Sequence, residues 1–180
     1  MTDCLAEVER IKRLKYRYFR HVDCKQFGPL LELFVDGAST SYDNGRHACR
    51  GKDAILDFFE KGLGNPKILS QHHGHHPEID ILDGDSATGI WYMEDTVYVL
   101  EHNLKIRGNG IYWDRYLKRD GEWKILHTGY ERIWEYTEQL PPGCGRTFRS
   151  MFEGKERQRS RERDWQDGEP DLFVSPSAQD

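Results

Sequence analysis

The sequence predicts an α+β fold in which three N-terminal helices pack on one face of a strongly bent antiparallel sheet. Three features carry this expectation: an amphipathic helix pattern at the start, four long strand patterns in succession from residue 70, and turn signals between those strands. Consecutive long hairpins form a sheet with a concave face, and the helices ahead of them can cover it. A pocket between helices and sheet follows from that arrangement.

From Asp3 onward Leu5, Val8, Ile11, Leu14, Tyr18 and Val22 recur every three or four residues with charged residues between them, the pattern of a long amphipathic helix. Asp23-Cys24-Lys25-Gln26 interrupts it. Residues 27–34 offer a short second helix that tolerates Pro29 near its first turn. Residues 38–42 read as a strand, Asp43-Asn44-Gly45 as a turn and 47–50 as the returning strand. Gly51-Lys52-Asp53 leads into a third helix through Phe58 and Phe59 that ends between Gly62 and Pro66. The long strands are expected at 70–82, 87–100, 104–118 and 122–134. Asp83-Gly84-Asp85 and Arg119-Asp120-Gly121 make tight turns, and Glu101-His102-Asn103 a looser one.

One domain over residues 1–136 accounts for these elements, with 137–180 as an extension that has no core of its own. Its apolar residues, Phe148, Met151, Phe152, Trp165, Leu172, Phe173 and Val174, leave two outcomes open: docking on the body or a partner subunit, or a mobile tail. The net charge of -5 is spread over interspersed acids and bases, so there is no basic stripe for nucleic acid. No apolar run approaches the roughly 18 residues that suggest a membrane span. The four cysteines, Cys4, Cys24, Cys49 and Cys144, form no C-x-x-C pair, and reduced thiols in a cytoplasmic protein are expected.

The densest chemical signal is Gln71-His72-His73-Gly74-His75-His76-Pro77, which holds four of the eight histidines in five residues. Imidazole exchanges protons near neutral pH, so such a run is a metal trap, a general base with neighbours, or a solvated cluster. Adjacent histidines on a strand point to opposite faces. The run therefore supplies at most two metal ligands per face, plus what Asp23 or Glu94 adds, and no metal or cofactor is expected. Strand alternation puts His72, Gly74 and His76 on one face, and His73 and His75 on the other in phase with Ile79 and Ile81. A bulge at Gly74 or Pro77 resets that phase.

The order of elements, together with Tyr16-Arg17-Tyr18-Phe19-Arg20-His21-Val22-Asp23, Gly51-Lys52-Asp53-Ala54-Ile55, Ser70-Gln71-His72-His73-Gly74, Tyr112-Trp113-Asp114-Arg115-Tyr116 and Asp120-Gly121-Glu122-Trp123, resembles the SnoaL-like branch of the nuclear transport factor 2 (NTF2) superfamily. The resemblance covers residues 5 to 135 and implies a cone-shaped α+β barrel. Its dehydratase and dehydrochlorinase types use an Asp/His pair that faces the cavity. Asp23 matches the aspartate, and the Ser-Gln-His frame favours His72 for the histidine, with His73 one register step away. A carboxylate-held imidazole is also what abstraction of a carbon-bound proton requires, whatever the family.

Tyr18 and Tyr42 match the carbonyl-polarising tyrosines of the dehydratase types, and a phenol donates well to a developing enolate oxygen in a dry site. His73 and Arg132 are expected to contact substrate, Arg132 through an anionic or oxyanionic group. The resemblance thus implies a cofactor-independent dehydratase acting on a hydrophobic, cyclic β-hydroxy carbonyl compound. An isomerase or cyclase using the same pocket, and a non-catalytic binding or assembly module, are the alternatives. Back-to-back sheets in the family imply a homodimer.

Overall fold

The structure is a computed structural model that describes residues 4–143 and 146–154. Helix α1 spans Cys4–Asp23 and buries Ile11, Leu14, Tyr18 and Val22, as the periodicity requires. At its start the apolar stripe fails: Leu5 is exposed and Glu7 is buried. The Glu7 carboxylate accepts from Trp123 Nε1 (2.5 Å) and Lys118 Nζ (2.9 Å), partners invisible to a pattern of apolar residues.

Helix α2 is the single short segment Phe27–Leu31, and strand β1 starts at Phe34 and runs to Tyr42. Both differ from expectation, for one reason. Leu33 O accepts from Ile125 N, and Phe34 pairs with Ile125, so the last strand captures the residues that local pattern assigned to the helix. Strand β2 (His47–Arg50) returns from the Asp43-Asn44-Gly45 turn, whose three residues all have positive φ. Helix α3 follows at Lys52–Leu63.

The long strands are β3 (Ile68–Ile81), β4 (Ser86–Val99), β5 (Leu104–Arg119) and β6 (Glu122–Gln139). They form one six-stranded sheet of order β2-β1-β6-β5-β4-β3. The sheet curls but stays open, with β2 and β3 as its edges. Antiparallel pairing holds along the hairpins, but β1 joins β6 in parallel. That one departure from an all-antiparallel sheet comes from a long-range pairing that no turn signal marks.

The concave face meets the helices in one core. Trp91, Met93, Tyr112 and Tyr116 are fully or almost fully buried against Leu14, Tyr18 and Phe19 of α1. Within this core lies an ion pair: Lys15 Nζ is 2.8 Å from Asp114 Oδ2 and donates to Thr128 Oγ1 at 2.9 Å. The Tyr116 hydroxyl donates to the same Asp114 oxygen (2.7 Å), and Lys15 stands 3.6 Å over the Tyr112 ring. Such a pair survives burial because Lys15 and Asp114 Oδ2 are held by further hydrogen bonds, although Asp114 Oδ1 has no partner among the described residues.

Part of the C-terminal extension lies on the body. Phe152 is buried with its ring 5.0 Å from Lys25 Nζ, and the Phe148 ring packs edgewise on Tyr98. Trp165, Leu172, Phe173 and Val174 lie outside the described residues. Among the described residues no helix is long and apolar enough to cross a membrane.

Candidate active site

Asp23 is the last residue of α1, a position where the helix dipole disfavours a carboxylate. Three donors answer that cost. Ser70 Oγ donates to Oδ1 at 2.9 Å, the His72 backbone N–H to Oδ2 at 2.9 Å, and His72 Nδ1 lies 2.6 Å from Oδ1. An ionised carboxylate only accepts, so Nδ1 carries the proton and the lone pair of the neutral ring is on Nε2. His72 is thereby fixed in tautomer and orientation by the residue that sequence reasoning paired with it.

His72 reaches the inner face because β3 changes phase. His75 pairs with Tyr92 and Glu78 with Ile90, so His76 and Pro77 together oppose Trp91, and His76 has a φ of 49°. This bulge sends Ser70, His72 and Gly74 inward before it and Ile79 and Ile81 inward after it. Gly74 has another use. A Cβ there would sit 2.5 Å from Phe19 Cε2, so only glycine lets the strand approach α1 this closely.

The pair opens on a cavity of about 330 Å³ between α1, α3 and the sheet. Val22, Phe58, Phe59, Leu63, Val97 and Ile106 give it apolar walls. Tyr18 and Tyr42 both line it, with their hydroxyls 2.7 Å apart. Burial pushes both phenols far above their ordinary pKa, as it does Tyr112 beside them, so all three stay neutral donors.

Arg132 also lines the cavity. It makes a bidentate bond to the buried Asp95, with Nη2 to Oδ2 at 2.8 Å, and it stacks 4.8 Å from the centre of the Tyr130 ring. Burial alone would lower its pKa, and the bond to Asp95 together with the charges of Tyr130, Asp95 and Glu135 more than reverses this, so the guanidinium is held charged above its ordinary range.

The structure thus brings together Asp23, His72, Tyr18, Tyr42 and Arg132. It does not bring in His73, expected as a substrate contact. His73 is exposed on the outer face, 3.2 Å from the Gln71 amide, because adjacent strand residues point to opposite sides. Asp95, which sequence reasoning missed, sits directly across from His72 on β4. Its signal was a carboxylate in phase with the buried residues Ala87, Trp91 and Met93 of that strand. Among the described residues, the side chains grouped closely enough to hold a metal ion are His73, His75 and Glu94, outside the cavity.

A curled sheet covered by helices over a cavity, with an Asp/His pair in its wall, defines a cone-shaped α+β protein of the NTF2-like kind. Residues 3–129 match the SnoaL-like domain, and the chain belongs to that family. It is 26% identical over 123 residues to hexachlorocyclohexane dehydrochlorinase 1 of Sphingobium indicum, covering 68% of this chain and 79% of that protein. Its fold is similar to that of a type 2 hexachlorocyclohexane dehydrochlorinase (TM-score 0.67, 24% identity, 77% of this chain and 96% of that one). It is likewise similar to a protein from Novosphingobium aromaticivorans described as a putative scytalone dehydratase (TM-score 0.68, 23% identity, 80% and 97% covered).

Proposed function

We propose that the protein is a cofactor-independent lyase that removes water from a small, hydrophobic, cyclic β-hydroxy carbonyl compound. The observation that carries the reading is the Asp23–His72 pair, bonded at 2.6 Å, with His72 in the wall of a largely apolar cavity beside two neutral phenols. Nε2 of His72 takes the α proton, and the C–H electrons move to form an enolate. One of the paired Tyr18 and Tyr42 hydroxyls donates toward its oxygen while the other holds it in place, and Asp23 stabilises the imidazolium. Collapse of the enolate expels the β-hydroxyl, which takes the proton back from the imidazolium and leaves as water.

The dehydrochlorinase relative supports a base-driven elimination in this family. The paired phenols favour an oxygen-bearing substrate over a haloalkane, which presents no carbonyl to polarise. The cavity volume lies at the small end of the ~300–1,000 Å³ common to ligand pockets, which favours a compact ring. Isomerisation or cyclisation begins with the same abstraction and uses the same residues.

Incubation of the protein with a panel of cyclic hydroxy ketones, read by mass spectrometry, tests the proposal. Loss of one water is the expected outcome, and a product of unchanged mass assigns isomerisation or cyclisation instead. On the substrate so identified, His72→Ala abolishes turnover. Asp23→Asn lowers kcat by about 10³–10⁴-fold, the scale seen when an imidazole loses its orienting carboxylate. Unchanged kcat in either variant defeats the assignment.

A further inference from the structure

The back of the base-bearing strand carries a cluster that the cavity chemistry does not use. His73 and His75 lie two residues apart on β3, so both project from the outer face. Glu94 is the direct cross-strand partner of His73 on β4 and projects from the same face. One ligand atom from each of the three lies within 4.8 Å of the others. A tetrahedral site with ligands at about 2.0–2.1 Å needs ligand atoms about 3.4 Å apart, so small side-chain rotations complete the geometry.

Outer partners are already present. Arg107 Nη2 donates to Glu94 Oε1, which orients the carboxylate and leaves its other oxygen outside that bond. The Gln71 amide lies 3.2 Å from His73 Nε2; turned to present its oxygen, it would accept from Nε2–H and orient the ring when Nδ1 ligates. The ring of His76, displaced by the bulge, stands 6.0 Å from that of His75 as a further imidazole at the margin. Two imidazoles and one carboxylate suit a borderline divalent ion such as Zn²⁺ and not Ca²⁺ or Mg²⁺, which prefer all-oxygen shells.

We propose that His73, His75 and Glu94 form a divalent transition-metal site on the outer face, filled by Zn²⁺ with solvent in the open position, that staples edge strand β3 to β4. Because among the described residues β3 pairs with β4 alone, no ladder among them holds its other edge. A metal bridging His73 to Glu94 clamps the register one residue from His72, on the opposite side of the sheet. This site is separate from the cavity and does not depend on the proposed reaction.

Titration of the chelator-treated full chain with zinc chloride, followed by calorimetry and thermal unfolding, tests the site. The expected result is saturable uptake of one zinc ion and a rise in Tm. His73→Asn, His75→Asn and Glu94→Gln should each weaken binding by about tenfold or more. Unfolding of each variant in chelator, at a Tm close to that of the metal-free parent, shows that the fold survives the substitution. Cobalt in place of zinc should give a visible absorption band that the three substitutions remove. The proposal is overturned if zinc uptake does not saturate. It is equally overturned if the three variants bind as the parent does while His72→Asn or replacement of the cysteines abolishes binding.

Discussion

The phenol pair is where residue chemistry separates the proposed reaction from a plain elimination of halide. Tyr18 and Tyr42 are bonded to each other and buried, so one hydroxyl proton is committed to the pair and the other is free to donate. Tyr42→Phe removes one hydroxyl of the pair, either the donor to substrate or the group that fixes that donor, and leaves the ring packing on Phe58 in place. It should lower kcat on a carbonyl substrate by about 10²–10³-fold, the cost of losing one donor to a developing oxyanion, with little change in KM. Steady-state kinetics of the variant check this; an unaltered kcat would mean that the tyrosines only pack. The pairing of Asp23 with His72 and the placing of both phenols beside it were legible in the sequence, because each stands in a recognisable local frame. Asp95 was not, since its meaning depends on the β3–β4 register that sets it opposite His72 and on Arg132, 37 residues away.

Strand β3 shows what an element can conceal. Its alternation contradicts itself, with His72 in one phase and Ile79 and Ile81 in the other, and only a bulge reconciles the two. The bulge falls at His76 and Pro77, which leaves Gly74 in regular strand geometry, where its missing side chain admits the Phe19 ring to the inner face. Phe19 is hemmed by the Tyr18 and Tyr112 rings, at 5.5 and 5.8 Å between centroids, and has little room to yield. Gly74→Ala should therefore destabilise the fold by about 1–3 kcal/mol, the usual cost of overpacking a filled core. Urea unfolding would show it as a lowered midpoint at constant slope. Helices α1 and α3 and the four long strands were legible from periodicity and turns. The end of α2, the early start of β1 and the parallel β1–β6 ladder were not, because β6 imposes them from about ninety residues away.

Across the whole molecule, α1 is fastened to the sheet by three polar ties spaced along its length: Glu7 near the start, Lys15 in the middle and Asp23 at the end. Hydrophobic periodicity scores all three as polar residues, so it finds the helix but not what fixes the helix on the sheet. Asp23 was recognised through the family resemblance, and the other two were not. Glu7 ties the start of α1 to both β5 and β6, and its effect on stability can be isolated by pH. Its carboxyl is held below the usual 4.5 first by the bond to Lys118, then by that to Trp123, and these outweigh the opposing effect of burial. In the unfolded chain the group binds its proton at higher pH than in the fold. The stabilisation is therefore complete above about pH 4.5 and is lost as pH falls through the lower, folded value. Urea unfolding of the parent and of Glu7→Gln between pH 7 and pH 3 should give two curves whose separation is constant at neutral pH and shrinks below 4.5. A separation that stays constant down to pH 3 would show that Glu7 titrates alike in both states and that the tie contributes nothing specific to the ionised form.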